Sequence, residues 1–224
     1  KNNNKYYKIL CSKILFYLKI LLDCGMSENK LHHIIIKLKN TDFSDYLLNK
    51  DLIKCDASAL INYIYYFKFL KINNYLLPYT NIFRSIYDNN NVINNTEYKN
   101  KIYGMTHFII AASNYYQNYV IYNQYKWIIN YFTNNINDIL KRTTIDITVE
   151  VGICFYLVQL FEHNLIDLIK KYLINYYEFK NYLIKPACKN NNLNLNEHTS
   201  ILVLMFLNWD KNTHLKMGPL LFTE

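Results

Sequence analysis

The stretch DITVEVGICFYLVQLF, residues 146–161, is apolar on nearly every side when it is wound as a helix. A helix with that pattern is typically buried on all sides in a protein core. Glu150 lies within it, and a carboxylate on such a face is costly to bury without a partner. The stretch therefore predicts a central buried helix and marks Glu150 as a candidate functional residue.

Buried and half-exposed helices alternate around this stretch. Residues 106–120 and 198–209 are two further apolar helical segments, whereas residues 124–140 and 164–177 have one polar face. Such alternation is typical of an inner and an outer ring of helices. We therefore predict an all-α fold of antiparallel helical hairpins in a toroid-like (α/α) arrangement, complete or partial. A plain multi-helix bundle with a buried central layer would show a similar alternation.

The composition favours helices joined by polar, Asn-rich loops. Of the 224 residues, 51% are hydrophobic, which excludes a disordered chain. Only 4 Gly and 3 Pro are present, too few for the turns of an all-β domain. We predict a single all-helical domain over residues 1–224, with an irregular N-terminal half, residues 1–95, and a regular helical-hairpin half, residues 96–224.

The net charge of +8 comes mostly from lysine, since arginine occurs only at Arg84 and Arg142. A basic surface can attract nucleic acid, anionic lipid or acidic polysaccharide. No Lys/Arg-dense stretch and no usual nucleic-acid motif is present, so nucleic-acid binding is not expected. The motifs of the commonest metalloproteases, α/β-hydrolases and nucleotide-binding proteins (H-E-x-x-H, G-x-S-x-G and the P-loop) are missing as well.

Cysteine usage and the N-terminal stretch bear on location. Five cysteines without a C-x-x-C pair predict neither a disulfide framework nor a zinc knuckle, so free thiols and a cytoplasmic location are expected. Residues 9–22 are strongly apolar, but Lys13 and Lys19 interrupt them, and they are too short to span a bilayer. The chain starts at Lys1 rather than Met, so we allow for a leader or upstream segment that has been removed.

Three residues that can do chemistry stand at the expected starts of the three apolar helices: His107, Glu150 and His198. The steps between them are 43 and 48 residues, about the length of one pair of helices with its loops. With Thr106 and Asp146 as N-caps, the three side chains would recur at the same end of three inner helices. We therefore predict a polar pocket at these helix N-termini.

Three functions remain open for this pocket. Two His and one carboxylate fit zinc or a similar divalent ion in a metal-dependent hydrolase or lyase. Alternatively, Glu150 and a His or Tyr, with Tyr103 and Tyr115 as candidates, would move protons without a metal on an anionic small molecule or acidic saccharide. In the third case the domain is a non-catalytic interaction or scaffold module, and the same residues are caps and internal hydrogen-bond partners.

Several segments resemble an uncharacterised bacterial family, a domain of unknown function. They are YKNKIYGMTHFIIAASNYYQ, WIINYF, DITVEVGICF, EHTSILVLMFLNW and the closing GPLL, and together they span roughly residues 98–220. The motifs are Y-G-x-T-H, A-x-S-x-Y-Y-Q, D-x-x-x-E-V-G and E-H-T. The resemblance implies that these residues belong to signature segments: Tyr103, His107, Ser113, Tyr115, Asp146, Glu150, Glu197 and His198.

The helical layout also resembles that of α/α-toroid enzymes. These include polysaccharide lyases, glycoside hydrolases and lanthionine cyclases. The zinc of the cyclases is held by two Cys and a His at the ends of inner helices. This chain lacks that cysteine pattern, which argues against cyclase activity.

Overall fold

The structure, a computed structural model, describes residues 2–88, 93–179, 193–210 and 215–218. Over these ranges the chain is almost entirely helical, with strands of only two residues each. The predicted all-α class is therefore confirmed, whereas the toroid-like arrangement stays a prediction. The chain divides into two compact units, Lys1–His107 (unit 1) and Phe108–Glu224 (unit 2).

Unit 1 contains the following elements: α1 (Asn2–Ile9), a π-helical segment (Leu10–Leu15), α2 (Phe16–Asp23), α3 (Glu28–Lys39), α4 (Ser44–Leu47), α5 (Lys50–Phe69), α6 (Leu76–Tyr87) and most of α7 (Asn95–Ala112). The first three form one continuous helix, because the residues at their junctions keep helical backbone angles. Gly25 ends this helix at φ +86°, with its N–H donating to Leu22 and that of Met26 to Leu21. A glycine in a left-handed conformation is the usual C-cap of a helix.

The core of unit 1 forms around α5. The side chain of Asn49 starts this helix by accepting hydrogen bonds from the N–H groups of Asp51 and Leu52. Most of the α5 side chains that follow are buried, and the ring of Phe67 packs 4.7 Å from that of Phe43. The boundary with unit 2 falls inside α7, 12 residues after the expected change of character at residue 95.

Unit 2 contains the end of α7 and these further elements: β1 (Asn118–Tyr119), α8 (Tyr122–Arg142), α9 (Ile145–Leu157), α10 (Asn164–Phe179), α11 (Leu193–Leu207) and β2 (Lys216–Met217). Every residue of α9 except Asp146 is buried. Helices α8, α10 and α11 all pack against it. The prediction of a central buried helix is therefore confirmed.

Helices α9 and α11 pack closely against each other. Gly152 lies under the ring of Phe206, while Tyr156 contacts both Phe206, at 5.4 Å between ring centroids, and Trp209, at 5.2 Å. The carbonyl of Leu157 at the end of α9 accepts a hydrogen bond from Val120, next to β1, and β1 pairs in parallel with β2.

Helix α11 is not buried on all sides, although its sequence is nearly all apolar. Ile201 and Leu204 are 55% and 52% exposed, and Leu207 is exposed as well. Among the side chains of α11 that the structure describes, Leu202, Val203 and Phe206 are buried. The expectation of a second fully buried inner helix at residues 198–209 is wrong, because an apolar sequence does not decide how many neighbours a helix has.

Candidate functional site

His107 does not start a helix, contrary to the prediction. It lies in α7, 12 residues after the start of that helix at Asn95. The true start is a capping box formed by Asn94 and Glu97: the Glu97 N–H donates to the Asn94 side chain at 2.9 Å, and the Asn94 N–H donates to the Glu97 carboxylate at 3.4 Å. Thr106, predicted as the N-cap, instead donates its hydroxyl to the carbonyl of Tyr103 at 2.9 Å.

The imidazole of His107 has a defined partner in unit 1. Its Nδ1 lies 3.0 Å from Oδ1 of Asn62 on α5. Because an amide oxygen only accepts, the hydrogen of the neutral ring lies on Nδ1, and Nε2 is the basic nitrogen. The ring of Tyr103, one turn earlier on α7, contacts the imidazole edge-to-face at 4.6 Å. Nε2 itself is shielded from solvent.

Asn100 fixes the position of α7 along α5 through hydrogen bonds to the α5 backbone. Helix α5 is kinked at Asp56, where φ is −149°, so the hydrogen bonds of the preceding turn are disturbed. The Asn100 amide donates to the carbonyls of Ile53 and Lys54 at 2.8 and 2.7 Å, and its oxygen accepts the Ala57 N–H at 3.0 Å. This replacement for lost helical bonds fixes the register of the two helices.

Gly104 allows the same two helices to come close together. A Cβ at this position would lie 2.7 Å from the Cβ of Ala57 and 2.9 Å from the ring of Phe83. Asn100 and Gly104 thus determine where His107 meets Asn62. Sequence reasoning missed Asn62, although an isolated amide within the otherwise apolar stretch ALINYIYYF was an available signal.

Glu150 is enclosed in unit 2. It is 1% exposed, and Cys154, one turn later on α9, is fully buried. Burial raises the pKa of the Cys154 thiol well above its usual value, and the charge of Glu150 adds a smaller increase. A raised thiol pKa favours the protonated form over the reactive thiolate. The residue that precedes α9 is Thr144, not Asp146, so the predicted N-cap is wrong by two positions.

His198 lies in yet another environment. It is exposed on α11, as is its neighbour Glu197. His107 belongs to unit 1, whereas Glu150 and His198 belong to unit 2. Within the ranges that the structure describes, no group of three or more His, Cys, Asp or Glu side chains could hold a metal ion. The zinc site predicted at His107, Glu150 and His198 stays a prediction, and the described residues offer it no ligand cluster.

Tyr115 lies in a strained turn of unit 2. Asn114, Tyr115 and Tyr116 have φ angles of 53°, 54° and 70°, three successive left-handed residues without a glycine. For Tyr115 and Tyr116 this costs roughly 1–2 kcal/mol each relative to a right-handed conformation, whereas asparagine adopts it more readily. Buried Ser113 holds the turn, since its hydroxyl donates to Ile110 at 2.7 Å and accepts the Tyr116 N–H at 2.8 Å. Of the two predicted tyrosines, Tyr103 contacts the ring of His107 within unit 1.

The comparisons with known proteins identify the family. The model of a family described as "Domain of unknown function (DUF3541)" matches residues 2–222, and the chain belongs to this family. The predicted resemblance to an uncharacterised family is thereby confirmed, and it extends well beyond the segments that suggested it. No curated protein and no solved structure matches the chain. Among the described residues, no helix combines the length and apolarity needed to cross a membrane.

Proposed function

We propose that this protein is a non-catalytic interaction domain that binds its partner through the N-terminal helix of unit 1. The observation that supports it most is an exposed apolar surface on that helix. We call this surface the N-terminal stripe; it consists of Tyr6, Ile9, Phe16, Tyr17, Ile20 and Leu21, all between 36% and 58% exposed. Large apolar side chains grouped on one exposed face mark interaction sites.

The environments of the candidate catalytic residues favour the same function. Glu150 is enclosed, His198 is exposed, and Nε2 of His107 is shielded from solvent. Each has a structural role or setting that needs no substrate, as for the Asn62–His107 contact between α5 and α7. These are the properties of internal hydrogen-bond partners and surface residues in a binding module.

A photo-crosslinking amino acid at position 17 tests the proposal in cells that produce the full chain. We expect adducts at position 17 and none at position 77. Leu77 of α6 is the matched control, because it has the same exposure as Tyr17, 58%. Adding Ile20→Ser and Leu21→Ser should abolish the adducts, whereas adding His107→Gln and Glu150→Gln should not. Equal adducts at positions 17 and 77, or none at 17, would contradict an interaction role for the stripe.

A second function, metal-free acid/base catalysis on an anionic saccharide, is favoured by one specific observation. The Asn62 contact sets the tautomer of His107 so that Nε2 could accept a proton, with the Tyr103 ring alongside. In an elimination from a uronic acid, the base takes the proton beside the carboxylate. The neighbouring C–O bond breaks as a C=C bond forms, and an acid protonates the leaving oxygen. The enclosed Nε2 requires that substrate entry displace neighbouring side chains.

A panel of uronic-acid polymers distinguishes this second function from the first. The ultraviolet absorbance of new unsaturated ends would reveal turnover, and His107→Gln should lower it by roughly 10²–10⁴-fold. His33→Gln, an exposed histidine of the same unit, is the matched control. Metal content by elemental analysis, followed by titration, tests the zinc version, in which Nε2 would bind the ion and Asn62 would orient the ring. No cleavage across the panel would exclude the second function.

A further inference from the structure

The N-terminal stripe lies on a helix that has two apolar faces. Tyr6 and Ile9 are three residues apart, Ile9 and Phe16 seven, and Phe16 and Ile20 four, which are spacings that place side chains on one face of a helix. The opposite face carries Cys11, Leu15 and Leu18, which are buried in unit 1. The helix is therefore apolar on both sides but covered on one, and the uncovered side runs from Tyr6 to Leu21, roughly 20 Å along the axis.

The segment around the stripe carries most of the charge of the protein. Residues 1–40 contain eight lysines against only Asp23 and Glu28, a net charge of +6 out of +8 for the chain. Lys13 is exposed and falls within the spacing of the stripe itself. Lys8 is 61% exposed and lies 3.6 Å from Asp56. The stripe thus includes a basic group at Lys13, whereas the charge of Lys8 is paired with Asp56.

We propose that the N-terminal stripe docks in the plane of an anionic lipid bilayer. This rests on the proposed function and names the partner. Aliphatic and aromatic side chains on one face enter the acyl boundary, while lysines reach up to the headgroups along their alkyl stems. The charge complements anionic lipids, which attract each nearby lysine. A second copy of the stripe would bring like charges together, so the charge disfavours a symmetric dimer through this face.

Vesicle sedimentation with the full chain tests the lipid partner. Vesicles of phosphatidylcholine with about a third phosphatidylserine should pellet the protein, and pure phosphatidylcholine should pellet much less. Raising NaCl from about 0.05 to about 0.5 M should weaken the binding, because salt screens the lysine attraction. Tyr17→Ser with Ile20→Ser should lower the affinity roughly tenfold or more, because the apolar contact with the bilayer is lost.

The matched control is Ile201→Ser with Leu204→Ser, an equally exposed apolar pair on α11. We expect this variant to bind like the original chain, and thermal unfolding should confirm that both variants are folded. Binding that is lost equally in both variants, or that does not depend on phosphatidylserine, overturns the lipid proposal. So does stripe-dependent association of the chain with itself in light scattering. Protein rather than lipid adducts at position 17 overturn it too, while leaving the interaction function intact.

Discussion

At the scale of single residues, the contact between Asn62 and His107 is the best-defined feature of the candidate residues. It joins two helices through one hydrogen bond of 3.0 Å between residues 45 positions apart. A polar pair inside an apolar interface contributes specificity, because any shift of register would leave both groups without their partner. We therefore regard His107 as a residue that fixes how α7 meets α5.

Replacing Asn62 with Leu should leave the Nδ1–H of His107 without its acceptor. We expect a loss of about 1 kcal/mol in the free energy of unfolding, the usual net contribution of one partly buried hydrogen bond. Urea unfolding measures the loss, and ¹⁵N NMR of the imidazole reports which nitrogen carries the hydrogen. Asn62→Asp is the control, since a carboxylate still accepts from Nδ1. An unchanged tautomer in the Leu variant would disprove this account of the contact.

At the scale of elements, close packing of helices depends on glycines whose backbone is ordinary helix. Their role is to leave space where a side chain would clash. Gly152 faces the ring of Phe206, and an added Cβ would lie 2.5 Å from it. Phe206 is fully buried and contacts Tyr156, so the ring has little room to move. The contact between α9 and α11 therefore depends on Gly152.

Substituting Gly152 with Ala sets two effects against each other. Alanine favours a helix over glycine by about 1 kcal/mol, whereas overpacking a core typically costs about 1–3 kcal/mol. We expect the clash to dominate and the unfolding free energy to fall. In a Phe206→Leu background, which replaces the ring with a smaller side chain, the same substitution should cost less. A double-mutant cycle from chemical denaturation measures this coupling, and a coupling near zero would show that the ring moves aside.

At the scale of the whole molecule, most of the net positive charge lies in unit 1, whose lysines are mostly on the surface. Lys101 of this unit is instead 6% exposed, and it donates to the carbonyl of Tyr87 at 3.1 Å. Burial lowers the pKa of Lys101 to about 8, and the charge of Asp88 opposes this in part. The unfolded chain holds this proton up to about pH 10.4, so unfolding takes up a proton between these values.

The pH dependence of stability follows from that difference. Because the unfolded state binds more protons, this lysine makes the unfolding free energy rise by roughly 2 kcal/mol between about pH 8 and pH 10. Burial raises the pKa of Tyr87 to about 12, so above about pH 10 this tyrosine acts in the opposite sense. Denaturation at a series of pH values measures the effect. Lys101→Met should remove the rise between pH 8 and 10, and an identical rise in the variant would contradict the assignment.

The helical class and the burial of α9 could be predicted from the sequence, and short signature segments indicated the family. The helical class and the burial of α9 follow from local periodicity and composition, which do not depend on where the neighbouring helices lie. The packing of the helices decided that Asn62 is the partner of His107 and that α11 and the N-terminal helix each leave an apolar face exposed. Periodicity shows which faces are apolar; which of them are covered depends on the number and position of the helices that pack against them.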